Sequence, residues 1–407
     1  MNSILVGAGE TRQNYPDCVA VRIVWQAMKA RNMQIYDTIV IGAGGVGSAV
    51  LYHLAARGHA VLGIDRFAPP HDLGSSHGET RVIRQAYFEH PDYVPLLRRT
   101  YDLWHELESL SGRQLFTQCG LVEVGPADGE VVPGVLAAAT AHRLDVETLS
   151  PRDVTRRWPA LRIPEGLEAV FEPTAGYLRV EACVEAHLTE ATRLGATLES
   201  DCEVAGWSVV GDQVEVETSR SKFLSKSLVI AAGAWANRLL PQLGVPLTPL
   251  RKSLFWYSAA NVKEPEALPV YLYELREGVY YGFPATGGDR IKAAEHTGGQ
   301  QVTDPLDVVQ SIDSGEQQRI ESFLAQCVPQ VVGPPIAHKT CLYTMAPDHH
   351  FVVDRHPDFA NVVFAVGLSG HGFKFVPVIG EALADLLSEG ATDLPIEFLS
   401  AQRFGER

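Results

Sequence analysis

Tyr36-Asp37-Thr38-Ile39-Val40-Ile41-Gly42-Ala43-Gly44-Gly45-Val46-Gly47 decides the fold of this chain. Tyr36 to Ile41 is a short β-branched run, which favours a strand, and it ends in a glycine turn. Val46, Val50, Leu51 and Leu54 then recur at helical spacing up to Gly58, and a second apolar run, Ala60 to Ile64, stops at Asp65. The order is strand, glycine turn, helix, strand, acid. Gly42 permits the tight turn, Gly44 lets backbone approach a pyrophosphate, and Gly47 lets the helix pack on the sheet. The helix N-terminus offers N–H groups and a positive dipole end to phosphates. Asp65, about twenty residues on, can accept from both ribose hydroxyls. An ordinary glycine turn does not explain that acid, so the stretch reads as a dinucleotide site. Residues 1–33 precede it and read as an N-terminal extension, an appendage open to disorder or to an upstream start.

Further along, the loop His71 to Tyr87 (HDLGSSHGETRVIRQAY) carries Arg81 and Arg84, three apart, which could share one face of a helical turn; from spacing alone they read as solvated charge. An amphipathic helix follows, with Leu97, Tyr101, Trp104 and Leu107 as a core stripe. Residues 118–175 read as mixed strands and turns. Glu181 to Leu194 reads as a helix, followed by strand-like segments near Val204, at Gln213 to Thr218 and at Leu228 to Ala232, the last running into Gly233. From Leu250 to about Met345 aromatic and β-branched residues dominate, with Lys292, His296 and a polar helix from about Val308 to Cys327. Val362 to Ala365 is then a buried strand, Gly367 to Lys374 (GLSGHGFK) a loop and Val378 to Leu387 a helix.

Composition bounds the function. The 407 residues are 46% hydrophobic and 20% charged, enough for two or three domains with a substantial core. Thirty-four basic against 49 acidic residues give a net charge of −15 without a basic block, which excludes a nucleic-acid partner. No run of about eighteen apolar residues marks a membrane span. The six cysteines, at 18, 119, 183, 202, 327 and 341, form neither a CxxC pair nor a disulfide framework, which points to a reducing, cytoplasmic location.

These motifs together resemble the monomeric sarcosine oxidase and N-methyltryptophan oxidase family of FAD-dependent amine oxidases. The likeness rests on GAGGVG with Asp65, PPH…GSSHGETRVIRQAY, FEPTAGYL, VYYGFP, CLYT…DHHFVVDRHP and GLSGHGFKF, and runs from about Tyr36 nearly to the C-terminus. It implies an α/β (α+β) architecture. A Rossmann-like FAD-binding domain, discontinuous over residues 34–117, 176–247 and 347–391, would carry a mixed-sheet substrate domain over 118–175 and 248–346, with 392–407 as a tail. The resemblance places covalent attachment of FAD, a thioether to the 8α-methyl carbon, on Cys341. It places the oxygen-activating lysine on Lys292 and the grip on the substrate carboxylate on Arg84 and Lys374. The pocket falls on Tyr281, His296, Tyr343, Gly370 and His371, with His77 and Arg81 beside the flavin ring. Val204, Gly233 and Gly372 complete the cofactor-binding set.

The implied reaction is oxidative demethylation of a small secondary amino acid by oxygen, giving the amino acid, formaldehyde and hydrogen peroxide, in a monomer or weak oligomer. RKSLFWY (Arg251 to Tyr257) and HTGGQ (His296 to Gln300) lean towards the N-methyltryptophan branch, while His296 and Tyr343 also suit sarcosine. Leu272, Leu275 and Ala293-Ala294-Glu295 are not fixed letters of the family and leave the amine open. A pipecolate-like substrate, a dehydrogenase that passes electrons to a protein, and a non-catalytic flavoprotein subunit are the alternatives; the last predicts loss of Arg84, Lys374 or Lys292, and all three are present. His296 and His371, or Asp348, His349, His350 and Asp354, lack the spacing of a metal site. Ser369 in GLSGHG misses the nucleophile elbow because position 371 is His.

Overall fold

The computed structural model describes residues 35–405, so the 1–33 extension lies outside the described residues. β1 (Ile35–Ile41), α1 (Gly45–Ala56) and β2 (Val61–Ile64) form the βαβ unit where the sequence puts it. The turn is as tight as its glycines allow: a Cβ on Gly47 would stand 1.7 Å from the Gly42 carbonyl oxygen. β3 (Thr80–Ile83) is followed by α2 (Tyr93–Ser111), whose Leu97, Tyr101, Trp104 and Leu107 are buried as one stripe. Arg81 therefore lies in a strand, with Arg84 just beyond it, and no helical turn joins them.

β4 (Phe116–Gln118), β5 (Leu121–Gly125), α3 (Val131–His142), β6 (Glu147–Leu149), α4 (Pro151–Arg157), β7 (Glu168–Glu172) and β8 (Gly176–Arg179) come next. The two helices correct the expectation of strands and turns alone over 118–175. α4 carries local start signals, a Ser150 side chain accepting from Asp153 N and a proline in the first turn. α3 is stabilised from far along the chain: the Glu274 carboxylate accepts from the N–H groups of Glu130 and Val131, donors that its own first turn leaves unpaired.

α5 (Val180–Arg193), β9 (Thr197–Glu199), β10 (Val204–Val210), β11 (Gln213–Thr218), β12 (Lys222–Ile230) and the one-turn α6 (Ala236–Leu239) follow. Then come β13 (Thr248–Ser258), β14 (Val270–Leu275), β15 (Gly278–Phe283), β16 (Arg290–Glu295), β17 (Gln300–Gln301) and α7 (Ser314–Cys327). α7 starts at Ser314 rather than Val308, because the Asp313 carboxylate accepts from Glu316 N and sets its N-cap. β18 (Ala337–Met345), β19 (Val352–Arg355), β20 (Val362–Val366) and α8 (Val376–Ser388) complete the elements that matter here.

Three sheets result. The first has the order β10-β11-β12-β1-β2-β9, with β20 parallel to the C-terminal half of β12 and β19 beyond it. The last strand thus returns to the sheet that the first strand began, and α8 packs on α1 so closely that a Cβ on Gly380 would stand 2.7 Å from the Cβ of Ala49. The second sheet runs β17-β13-β16-β15-β14-β5-β7-β6, with β18 on the other edge of β13. β3, β8 and β4 form a small third sheet that the sequence reading does not contain.

Strand alternation decides which face of the nine-stranded sheet serves the site. Tyr271, Tyr273 and Tyr280 point to one face, where Phe323 of α7 stacks on Tyr280 with ring centroids 5.0 Å apart. Burying such side chains contributes about 1.5–3 kcal/mol each and fixes the helix there. Leu272, Tyr281, Phe283, Trp256 and Cys341 point to the opposite face, towards the first sheet.

Candidate active site

Two cavities lie between that face and the strand ends of the first sheet. The larger, about 340 Å³, runs along the C-terminal ends of β1, β2, β12 and β20, the place where open α/β sheets bind ligands. Gly42, Gly44, Asp65, Val204 and Gly233 line one end, and Arg81, Gly370 and Gly372 the other. The smaller, about 50 Å³, is walled by Arg84, Lys374, Tyr281, His296, Tyr343 and His371, together with Glu89, Leu272, Phe88 and Phe283. Arg81, Tyr343, Gly370 and Phe373 belong to both walls. Every pocket residue expected from the sequence therefore lines the smaller space.

The larger cavity fits FAD. The Cβ position of Gly44 meets nothing nearer than the Ser76 hydroxyl at 3.8 Å, so a phosphate can approach the backbone at the start of α1. Trp235 Nε1, on the same wall, is buried without a partner among the described residues, a donor that a ligand acceptor would satisfy. Asp65 does more than face a ribose. Its Oδ2 accepts from Ala43 N at 2.7 Å and its Oδ1 from Phe67 N at 2.9 Å, which holds the glycine turn against the second strand.

Three expected residues stand behind the walls. Cys341 is 1% exposed on β18, and Arg81, which lines the larger cavity, donates from Nη2 to its Sγ at 3.3 Å. His77 is buried, pairs through Nε2 with Gly74 O at 3.1 Å, and is held near pKa 4 by burial and by Arg81, so it is neutral. Lys292 donates from Nζ to Gly78 O at 2.7 Å, Thr80 O at 2.8 Å and Thr80 Oγ1 at 3.1 Å, and lies over the Phe283 ring that walls the smaller cavity. Burial first and Arg81 second hold its ammonium well below the usual lysine range.

Arg84 is 3% exposed, which overturns the reading of solvated charge. Its Nη2 donates to Glu89 Oε2 at 2.5 Å, its Nε lies 3.5 Å from Glu123 Oε1, and its plane covers the Phe88 ring at 4.3 Å. The Glu172 carboxylate fixes the chain beside it by accepting from Gln85 N and Ala86 N. Lys374 Nζ donates to His371 O at 2.7 Å, and burial followed by the Arg84 charge lowers its pKa to about 7. His371 Nε2 pairs with His349 O at 2.9 Å, which makes Nε2 the protonated nitrogen and leaves Nδ1 to accept from the Tyr87 hydroxyl at 2.5 Å. Burial lowers His371 to about 4 and His296 to about 3, so both rings are neutral.

Sequence reasoning missed Glu89, Glu123 and Lys252. Glu89 follows a recognised motif by two residues and could have been found as an acid near Arg84. Lys252 pairs with Cys341 across the β13–β18 ladder, and its Nζ donates to the carbonyls of His296, Thr297 and Gly298, fastening the His296 loop. No sequence signal marks that contact. Among the described residues no group of three or more His, Cys, Asp or Glu is placed to hold a metal; Asp348 pairs with Arg403, and Asp354 accepts from Ser400 and Ala401. Ser369 Oγ donates to Gly367 O and accepts from Ala346 N, a structural role. No helix among them is long and apolar enough to cross a membrane.

A dinucleotide cleft that opens onto a small cation-bearing cavity is the layout of a cofactor-dependent redox enzyme. Comparison with known proteins carries this further: residues 37–386 match the FAD-dependent oxidoreductase (DAO) family, and the chain belongs to it. It is 42% identical to a monomeric sarcosine oxidase of Streptomyces avermitilis, over 90% of this chain and 97% of that protein. It is 36% identical to an N-methyl-L-tryptophan oxidase of Yersinia pestis, over 91% and 99%. Among solved structures, NikD, an unusual amino acid oxidase essential for nikkomycin biosynthesis, superposes with a TM-score of 0.82 at 26% identity, covering 90% of this chain and 98% of its own.

Proposed function

We propose that the protein oxidises a small secondary amino acid of the sarcosine type, with FAD tethered at Cys341 and oxygen as the electron acceptor, giving the demethylated amino acid, formaldehyde and hydrogen peroxide. The observation that carries this reading is the position of Arg84 and Lys374 on the wall of a small cavity that meets the dinucleotide cleft at Arg81, Tyr343 and Gly370. The similarity to sarcosine and N-methyltryptophan oxidases supports it. A cavity of about 50 Å³ walled by Leu272, Phe88 and Phe283 favours sarcosine over an indole-bearing substrate.

When bound, FAD supplies the two-electron chemistry: it takes electrons from the C–H bond beside the amine and passes them to oxygen. The chain's own groups do the rest. Arg84 and Lys374 hold the substrate carboxylate by charge-assisted hydrogen bonds, and the fixed guanidinium plane orients the N-methyl group. Because His296 and His371 are neutral, the cations of the wall are Arg81, Arg84 and Lys374; Glu89 offsets one of them, and the remaining positive charge disfavours the protonated form of the amine. The aromatic wall excludes water, which strengthens each of these interactions. Lys292, buried behind Thr80, offers positive charge in low dielectric to the negative charge that develops on oxygen. The five described cysteines are all unpaired, which supports a reducing compartment such as the cytoplasm.

The test is anaerobic flavin reduction with sarcosine, N-methyltryptophan, N-methylalanine, pipecolate and proline, followed by peroxide measurement in air. Sarcosine should bleach the flavin fastest, with stoichiometric peroxide. Bleaching without peroxide would make the protein a dehydrogenase, and no bleaching by any of the five would end the reading.

A further inference from the structure

Glu123 has no part in the chemistry above, yet its surroundings are unusual. It sits at the middle of β5, where the ladder places it beside Leu272 of β14 and Val170 of β7, on the site face of the sheet. It is 0% exposed, and neither carboxylate oxygen has a hydrogen-bond partner among the described residues. A buried carboxylate left in this state is costly unless it holds a proton or gains a partner. Among the described residues the one cation within ion-pair distance is Arg84, whose Nε, also without a hydrogen bond among them, lies 3.5 Å from Glu123 Oε1. Arg84 thus stands between two acids, Glu89 on the cavity side and Glu123 behind.

The charged groups around Glu123 are Arg84, Glu172, Glu89 and Lys374, contributed by the turn after β3, by β7, and by the loop after β20; β14 presents Leu272 and, one pair along on the same face, Glu274, whose carboxylate accepts from Glu130 N and Val131 N. Their environments drive the two acids apart. Burial alone would raise Glu89, but Arg84, His371 and Lys374 bring it down to about 2. Burial dominates at Glu123 and raises it to about 8, with Arg84 opposing and the two neighbouring carboxylates adding. Two acids pushed apart around one cation take different roles. At neutral pH Glu89 is the ionised partner of Arg84, and Glu123 holds a proton.

We propose that Glu123 is a reserve counterion of the carboxylate clamp: with its proton on it leaves Glu89 alone for a carboxylate from the cavity to displace from Arg84, and once ionised it claims Arg84 through Nε and weakens the clamp. Glu123 touches no substrate and is a positioning residue. Its position also explains the use of the guanidinium edges. With Nε facing Glu123, a bidentate substrate carboxylate would take the Nη1–Nη2 edge and displace Glu89 from Nη2. The sign follows from the proton: rising pH ionises Glu123, adds a negative charge behind Arg84, and repels the incoming anion. The proposal rests on Arg84 and Lys374 binding the substrate carboxylate.

The test is calorimetric titration of the FAD-loaded protein with acetate, an anion that stays ionised throughout and has no amine to confuse the pH dependence. Wild type, Glu123→Gln and, as a second packing variant, Glu123→Leu are compared between about pH 6.5 and pH 9.5. Lys374 titrates in all three, so the informative quantity is the ratio of dissociation constants, wild type over variant. It should rise with pH, by about fivefold or more between the ends of the range, in both variants. A ratio that does not rise with pH makes Glu123 a packing residue and overturns the proposal while leaving the clamp intact. No acetate binding to wild type at any pH overturns the clamp and the proposal with it.

Discussion

Arg84 donates to Glu89 at 2.5 Å on the very wall where a substrate carboxylate would have to meet the same guanidinium. The two carboxylates compete, and a substrate must displace Glu89 from a charge-assisted bond to gain its own. Glu89→Gln should therefore lower KM for sarcosine, by about three- to tenfold if the lost competition is worth about 1 kcal/mol. The limiting rate of anaerobic flavin reduction should change less than KM does. A raised KM would show that Glu89 holds Arg84 in place rather than competing for it.

The ammonium of Lys292 spends its three donors on Gly78 O, Thr80 O and Thr80 Oγ1, so it is anchored with its charge uncompensated by any hydrogen-bonded acid. Lys292→Met should slow reoxidation of the reduced flavin by orders of magnitude and leave anaerobic reduction nearly intact, a split that stopped-flow measurement of the two half-reactions resolves. The wild-type reoxidation rate should fall as pH rises through the depressed lysine pKa, because the ammonium is then lost. An oxygen rate unchanged in the variant would remove Lys292 from the chemistry.

Gly370 has φ +80°, and a Cβ there would stand 2.3 Å from the Tyr343 ring, which walls both cavities. Gly370→Ala combines left-handed strain with a displaced ring, and strain at such a position costs about 1–3 kcal/mol. The expected outcome is a slower flavin reduction and a raised KM for sarcosine in a protein that still holds FAD. A variant with wild-type kinetics would show that Tyr343 yields without consequence.

What could be read before the structure follows physical range. The β1–α1–β2 unit, the stripe on α2 and the returning strand β20 are set by periodicity and by glycines acting on neighbours, so local sequence suffices. The third sheet was not legible because β3 is four residues long and carries Arg81 in a strand that elsewhere would be a loop. α3 was not legible because Glu274, 144 positions away, caps it. At the site, the motif letters located the cations and aromatics. Their acidic partners were invisible: Leu121-Val122-Glu123-Val124 reads as a strand with a solvated glutamate, whereas this sheet is covered on both faces and Glu123 is buried beside Arg84.

Cys341 shows how position turns an unremarkable residue into a testable one. A buried, unpaired cysteine ordinarily behaves as a small apolar side chain. Here Leu342 and Tyr343, its chain neighbours, line the cleft that fits FAD, and Arg81, which lines it too, donates to Sγ at 3.3 Å. The hydrogen bond from Arg81 fixes the sulfur beside the cleft. Sγ donates in turn to Ser75 O at 3.5 Å, the carbonyl that Arg81 Nη2 also reaches at 2.9 Å, so the three groups hold one another. Acid-precipitated wild-type protein should therefore stay yellow, while Cys341→Ser should release its FAD to the supernatant and still fold, since the change is nearly isosteric. Arg81→Met should slow the appearance of acid-stable flavin when FAD is added to the flavin-free protein. If wild-type protein gives up all its flavin on precipitation, the tether is absent, and Arg81 is left holding a thiol that serves only to pack β18 against the loop at Ser75.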